Sequence, residues 1–115
     1  MITQDLNGAV GFKVAAIGGN ESEMEIILSN CKKYTFYGKG DATLIHPELD
    51  NSSEFIKRED RITMMRVKST VDLVDNGLAY RTVLEIKTHS GTLEFRWDLL
   101  STEYISGGLV AYTIE

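Results

Sequence analysis

The chain has 115 residues, 43% of them hydrophobic and 25% charged, with 17 acidic against 12 basic side chains for a net charge of -5. That is enough apolar material to close a core in one domain spanning 1–115, and too much for a disordered chain. Basic residues never run beyond pairs such as Lys32-Lys33 and Lys57-Arg58, so the cationic stripe that phosphate neutralisation needs is missing and no nucleic-acid partner is expected.

From the N-terminus, residues 9–17 read as a strand that ends in a Gly18-Gly19-Asn20 turn. Residues 23–30 read two ways. Asn20 with Glu23 resembles a capping box, and Met24, Ile27, Leu28 and Cys31 keep helical spacing. Against this, Met24, Ile26 and Leu28 alternate with Glu23 and Glu25, and β neighbours surround the segment, so it is taken as a strand. Residues 34–37 and 42–46 are short strands around a Gly38-Lys39-Gly40-Asp41 hairpin, with His46 held extended by Pro47. Residues 48–60 form a loop with room for one helical turn after Asn51 or Ser52.

The stretch 62–100 carries the clearest pattern. Asn76-Gly77 is a strong hairpin signal, because a type I′ turn needs φ > 0 at both central residues. Centred there, the register sets Leu73 against Tyr80, Val71 against Thr82 and Val67 against Ile86 on an apolar face. Asp72 then meets Arg81, and Lys68 meets Glu85, on the other face. A second turn at Ser90-Gly91 sets Ile86 against Phe95, Leu84 against Trp97, Glu85 against Arg96 and Lys87 against Glu94. A one-residue slip would invert every side chain, so the alternation predicts a three-strand antiparallel meander with Lys68, Glu85 and Arg96 in a row on its solvated face. Residues 104–114 form a further strand, bulged at Gly107-Gly108. The sum is an all-β chain, mainly antiparallel, with seven or eight strands in a sandwich or small barrel.

Recognised catalytic arrangements are missing from the sequence. His46 and His89 have no ligand-spaced partners, so neither a metal site nor a cofactor site is expected. Cys31 and His46 could meet as a dyad only through folding. Gly38-Lys39-Gly40-Asp41 lacks the spacing of a phosphate loop, and no Gly-x-Ser-x-Gly elbow occurs. Glu85 and Glu94 each face a cation in the register above and are expected to be ordinary surface carboxylates. The reading is of a chain without catalytic residues. The single cysteine rules out an intrachain disulfide and leans towards a reducing compartment. Uncharged stretches fall well short of the ~20 residues that cross a bilayer, and Asp5 and Lys13 interrupt the N-terminus where a signal peptide would be apolar. The expectation is a cytoplasmic protein with no membrane partner, in which Asn51-Ser52-Ser53 carries no sugar.

What remains is surface charge and aromatic side chains. Residues 41–60 hold Asp41, Glu48, Asp50, Glu54, Glu59 and Asp60 against only Lys57 and Arg58. Acids gathered in a loop can dock a basic protein, raising its association rate and choosing the partner. Tyr34, Phe36 and Tyr37 fall on both faces of a short strand, so one should point outward, whereas Trp97 belongs to the core. In length, acidity, β pattern (GLAYRTVLEIK and GTLEFRWDLL) and these acids, the chain resembles the small all-β immunity proteins that neutralise bacterial contact-dependent toxins. The resemblance implies an inhibitor whose acids occupy the place of a substrate's phosphates in a basic toxin or nuclease domain. The alternative is a small-molecule-binding β-barrel whose mouth is lined by side chains such as Phe36, Tyr80 or Tyr112, with Thr82 and Thr88 facing inward. The 104–114 strand, left at an edge, offers a third route, homodimer pairing.

Overall fold

The computed structural model describes residues 2–19, 23–39, 43–45, 60–104 and 109–115. Nine strands run through them: β1 (Ile2–Asp5), β2 (Val14–Gly19), β3 (Glu23–Leu28), β4 (Lys33–Gly38), β5 (Thr43–Ile45), β6 (Ile62–Val74), β7 (Gly77–Thr88), β8 (Gly91–Ser101) and β9 (Val110–Ile114). All pair antiparallel. They make two open sheets, one ordered β1-β6-β7-β8-β5 and the other β2-β3-β4-β9. The two share one buried core, which is the arrangement of a sandwich. The expected all-β class and the 62–100 meander are present.

Alternation builds the core. On β3, Met24, Ile26 and Leu28 are buried between half-exposed Glu23 and Glu25, so the helical spacing of this segment is incidental and it forms a strand. Tyr34 and Phe36 on β4 stack with ring centroids 6.4 Å apart, and Phe36 meets Tyr112 at 5.8 Å. From the larger sheet come Met65, Val67, Leu84, Ile86, Leu93, Phe95 and Trp97, all buried. Each such side chain is worth roughly 1.5–3 kcal/mol of apolar burial before conformational entropy is counted.

The N-terminal region departs from its sequence reading. A strand, β1, forms where none was expected, and residues 7–9 make a 3-10 turn instead of starting the next strand. Ala9 is fully buried there, and Phe12 O accepts from Ile62 N at 2.8 Å, so this segment serves to anchor the start of β6. The next strand therefore begins at Val14 and runs through Gly18 and Gly19, where the sequence predicts a turn.

Both meander turns lie closer to the N-terminus than the sequence suggests. Asp75-Asn76 and His89-Ser90 are the loops, while Gly77 and Gly91 are the first residues of β7 and β8. Leu73 faces Leu78, Val71 faces Tyr80 and Val67 faces Leu84; Leu84 faces Phe95 and Thr82 faces Trp97. Each pairing has slipped by two residues, which keeps every side chain on its expected face but changes its partner. The reason sits at Gly77. Its φ is +144°, and a Cβ there would lie 2.6 Å from the carbonyl oxygen of Ser101. The glycine is needed for this close approach to β8 rather than for a type I′ turn.

Candidate functional site

The slip rearranges the outer face of the larger sheet. Glu85 pairs across the ladder with Arg66, not Lys68, and its Oε1 lies 2.9 Å from Arg66 Nε and 2.5 Å from Lys68 Nζ. Glu85 is only 5% exposed, so the expected solvated row of Lys68, Glu85 and Arg96 does not form. Arg96 stands opposite Val83, and its Nε lies 3.3 Å from Asp98 Oδ2. Burial pushes the Glu85 carboxyl up, but the hydrogen bonds and charges of Lys68 and Arg66 together outweigh it and hold the group below its ordinary value. Glu94, expected opposite Lys87, lies opposite Glu85 and is exposed, while Lys87 faces Thr92. A carboxylate locked between two cations has no poised proton, so this pair offers no acid–base chemistry.

The other singled-out residues scatter. Cys31 is exposed in the β3–β4 turn, at a φ of +67°. His89 is exposed in the β7–β8 turn. His46 lies outside the described residues, and with it any Cys31–His46 dyad. Among the described residues, no three His, Cys, Asp or Glu side chains converge to hold a metal ion, and no helix is long and apolar enough to cross a membrane. Thr82, expected to face a ligand, is fully buried. Its hydroxyl accepts from Leu109 N at 3.2 Å and meets Ser69 Oγ at 3.0 Å. Tyr80 is buried with its hydroxyl 3.4 Å from Glu103 O, and Gln4 Nε2 donates to the Tyr112 hydroxyl at 2.5 Å. Burial, with Tyr112 beside it, pushes the Tyr34 hydroxyl up, away from any role as a base near neutrality.

Of the acidic loop, the structure describes Asp60 alone. Its carboxylate accepts a hydrogen bond from the Ser90 hydroxyl, which places it beside the β7–β8 turn at the start of β6. Asp41, Glu48, Asp50, Glu54 and Glu59 lie outside the described residues.

The opposite end of the meander holds a surface that the sequence reading missed. The strands of the smaller sheet have five or six residues, whereas β6, β7 and β8 have 13, 12 and 11. The larger sheet therefore overhangs, and burial falls away along it. Opposite buried Tyr80, Val71 is 48% exposed, and Leu73 beyond it is 86% exposed. These two side chains continue the core face past the end of its cover. On the outer face an open groove of about 510 Å³ is lined by Thr70, Asp72, Ala79, Arg81, Asp98 and Leu100. Val74, Leu100 and Tyr104 add exposed apolar area nearby.

Charge at this tip is acidic. Arg81 Nε donates to Asp98 Oδ1 at 3.1 Å, so its charge is matched. The expected Asp72–Arg81 pair does not form, because the slip sets Asp72 against Ala79. Asp72, Asp75 and Glu103 make no ion pair among the described residues. The signal that could have revealed this surface is strand length, since a hairpin twice as long as its covering strands must protrude.

Compared with known protein families, curated proteins and solved structures, the chain matches none.

Proposed function

We propose that this chain is a non-catalytic protein-binding inhibitor of the immunity type, which neutralises a basic enzyme, possible targets including a nuclease toxin, through acidic surface. The observation that carries the reading is the overhanging hairpin tip, where Val71, Leu73, Val74, Leu100 and Tyr104 are exposed beside Asp72, Asp75 and Glu103. Exposed apolar side chains rimmed by charge, here on both faces of the projecting hairpin, are characteristic of protein-binding sites. The acids of the 41–60 loop add to the net charge of -5, which would speed encounter with a cationic partner. The interior supports this reading over a ligand-binding barrel. Trp97, Phe95, Phe36, Leu84 and Ile86 are buried between the sheets, and the inward Thr82 hydroxyl is already bonded to the backbone.

The test is affinity capture from the native host with the tagged chain, at low and high salt, followed by an activity assay of whatever is captured. The expected result is one dominant basic enzyme, held at low salt, weakened at high salt and inhibited when bound. A captured enzyme whose activity is unchanged by the chain would contradict the inhibitor reading.

A further inference from the structure

Among the described residues, the exposed tip has an open backbone edge as well as an apolar face. β1 covers β6 only from Arg66 to Ser69. Beyond Ser69, β6 runs on to Val74 with no strand on that side among the described residues. Five residues of strand span roughly 17 Å of N–H and C=O groups that a neighbouring chain could satisfy. Natural edges are blunted by charged side chains, lysine above all, by proline or by a bulge. Between Thr70 and Val74 the one charge is Asp72, which would repel a like-charged strand and admit a cationic one; proline is missing, and the irregularity of β6 lies at its other end, between Ile62 and Met64.

We propose that an extended segment of the partner adds as a strand to the β6 edge at Thr70–Val74, with Lys or Arg on the side that faces Asp72 and apolar residues on the side that meets Val71 and Leu73. The proposal rests on the protein-binding reading above and adds its docking mode. The alternation follows from strand geometry. Successive side chains of an added strand fall on opposite faces, so one set extends the apolar overhang and the other lies beside Thr70, Asp72 and the groove. The charge follows from the tip itself, where Asp72 and Asp75 are exposed and the nearby Arg81 is engaged by Asp98. A second copy of this chain fits poorly. The antiparallel register that uses all five positions sets Asp72 against Asp72, and like charges directly opposite destabilise a strand pair.

The probe is a short capped peptide alternating valine with lysine, titrated into the isotopically labelled chain and followed by NMR. Shift changes and slowed amide exchange confined to residues 70–75 are expected. Replacing lysine by glutamate in the peptide should weaken binding by about two- to fivefold per charge pair, and Asp72→Lys in the chain should reverse that preference. A peptide N-methylated at alternate residues keeps its side chains but loses its donors, and should not bind. Equal binding of the N-methylated peptide, perturbation elsewhere on the chain, or sedimentation as a dimer that Leu73→Lys dissociates would each overturn the proposal. Its failure can be told from that of the underlying reading. If Asp72→Lys and Leu73→Lys leave capture of the basic enzyme unchanged while reversal of Asp50, Glu54 and Asp60 abolishes it, the inhibitor stands and strand addition falls.

Discussion

Gly77 and Glu85 make the two residue-scale commitments of the meander, one in backbone geometry and one in charge. At Gly77 an added methyl group meets the Ser101 carbonyl at 2.6 Å and forces a side chain into a φ of +144°. Gly77→Ala should therefore cost about 2 kcal/mol of stability, whereas Asn76→Ala, in the exposed turn, should stay within about 0.5 kcal/mol. Urea denaturation of the two variants separates these outcomes, and equal midpoints would place the turn where the sequence first suggested. Glu85 supplies a pH signature. Its folded-state value lies below the ordinary 4.5, so its stabilisation is present above that value and is lost as the pH falls through the lower folded one. Glu85→Gln should cost about 2 kcal/mol at neutral pH, because Arg66 and Lys68 lose their partner. The gap between wild type and variant should narrow as the pH is lowered from 5 towards 3. A gap that does not change with pH would mean that Glu85 carries no linked charge.

At the scale of elements, the strands are legible because alternation has a parity that packing enforces. Met24, Ile26 and Leu28 announce β3 despite their helical spacing, and the faces of β6, β7 and β8 are those that the pattern requires. Parity cannot choose between registers two residues apart, since both bury the same side chains. That choice was made by the close approach of Gly77 to β8, a tertiary contact with no local signal. The slip in turn moved Arg66 onto Glu85 and took Arg81 from Asp72. β1 was not legible because Ile2-Thr3-Gln4-Asp5 lacks a clear alternation and pairs with a strand more than 60 residues away. The candidate site was legible in part. Val71 and Leu73 were assigned to the apolar face, but whether that face is covered depends on the lengths of strands in the other sheet. The acids at 41–60 were legible only as composition, and of these Asp60 alone has a described place.

For the whole molecule, the two sheets divide the work. The smaller one and the near half of the meander bury a core around Trp97, whereas the far half projects an apolar, acidic tip. A rigid scaffold with a protruding edge can dock a partner with little reorganisation, so affinity for a basic enzyme would rest on surface charge and the tip rather than on a cavity. The most direct test of this account is the association rate of the purified chain with the basic partner proposed for it, measured across salt concentration for wild type and for Asp50→Lys/Glu54→Lys/Asp60→Lys. The account predicts a folded variant that associates at least about tenfold more slowly at low salt, with the difference shrinking as salt screens the field. Identical rates at every salt concentration would contradict it.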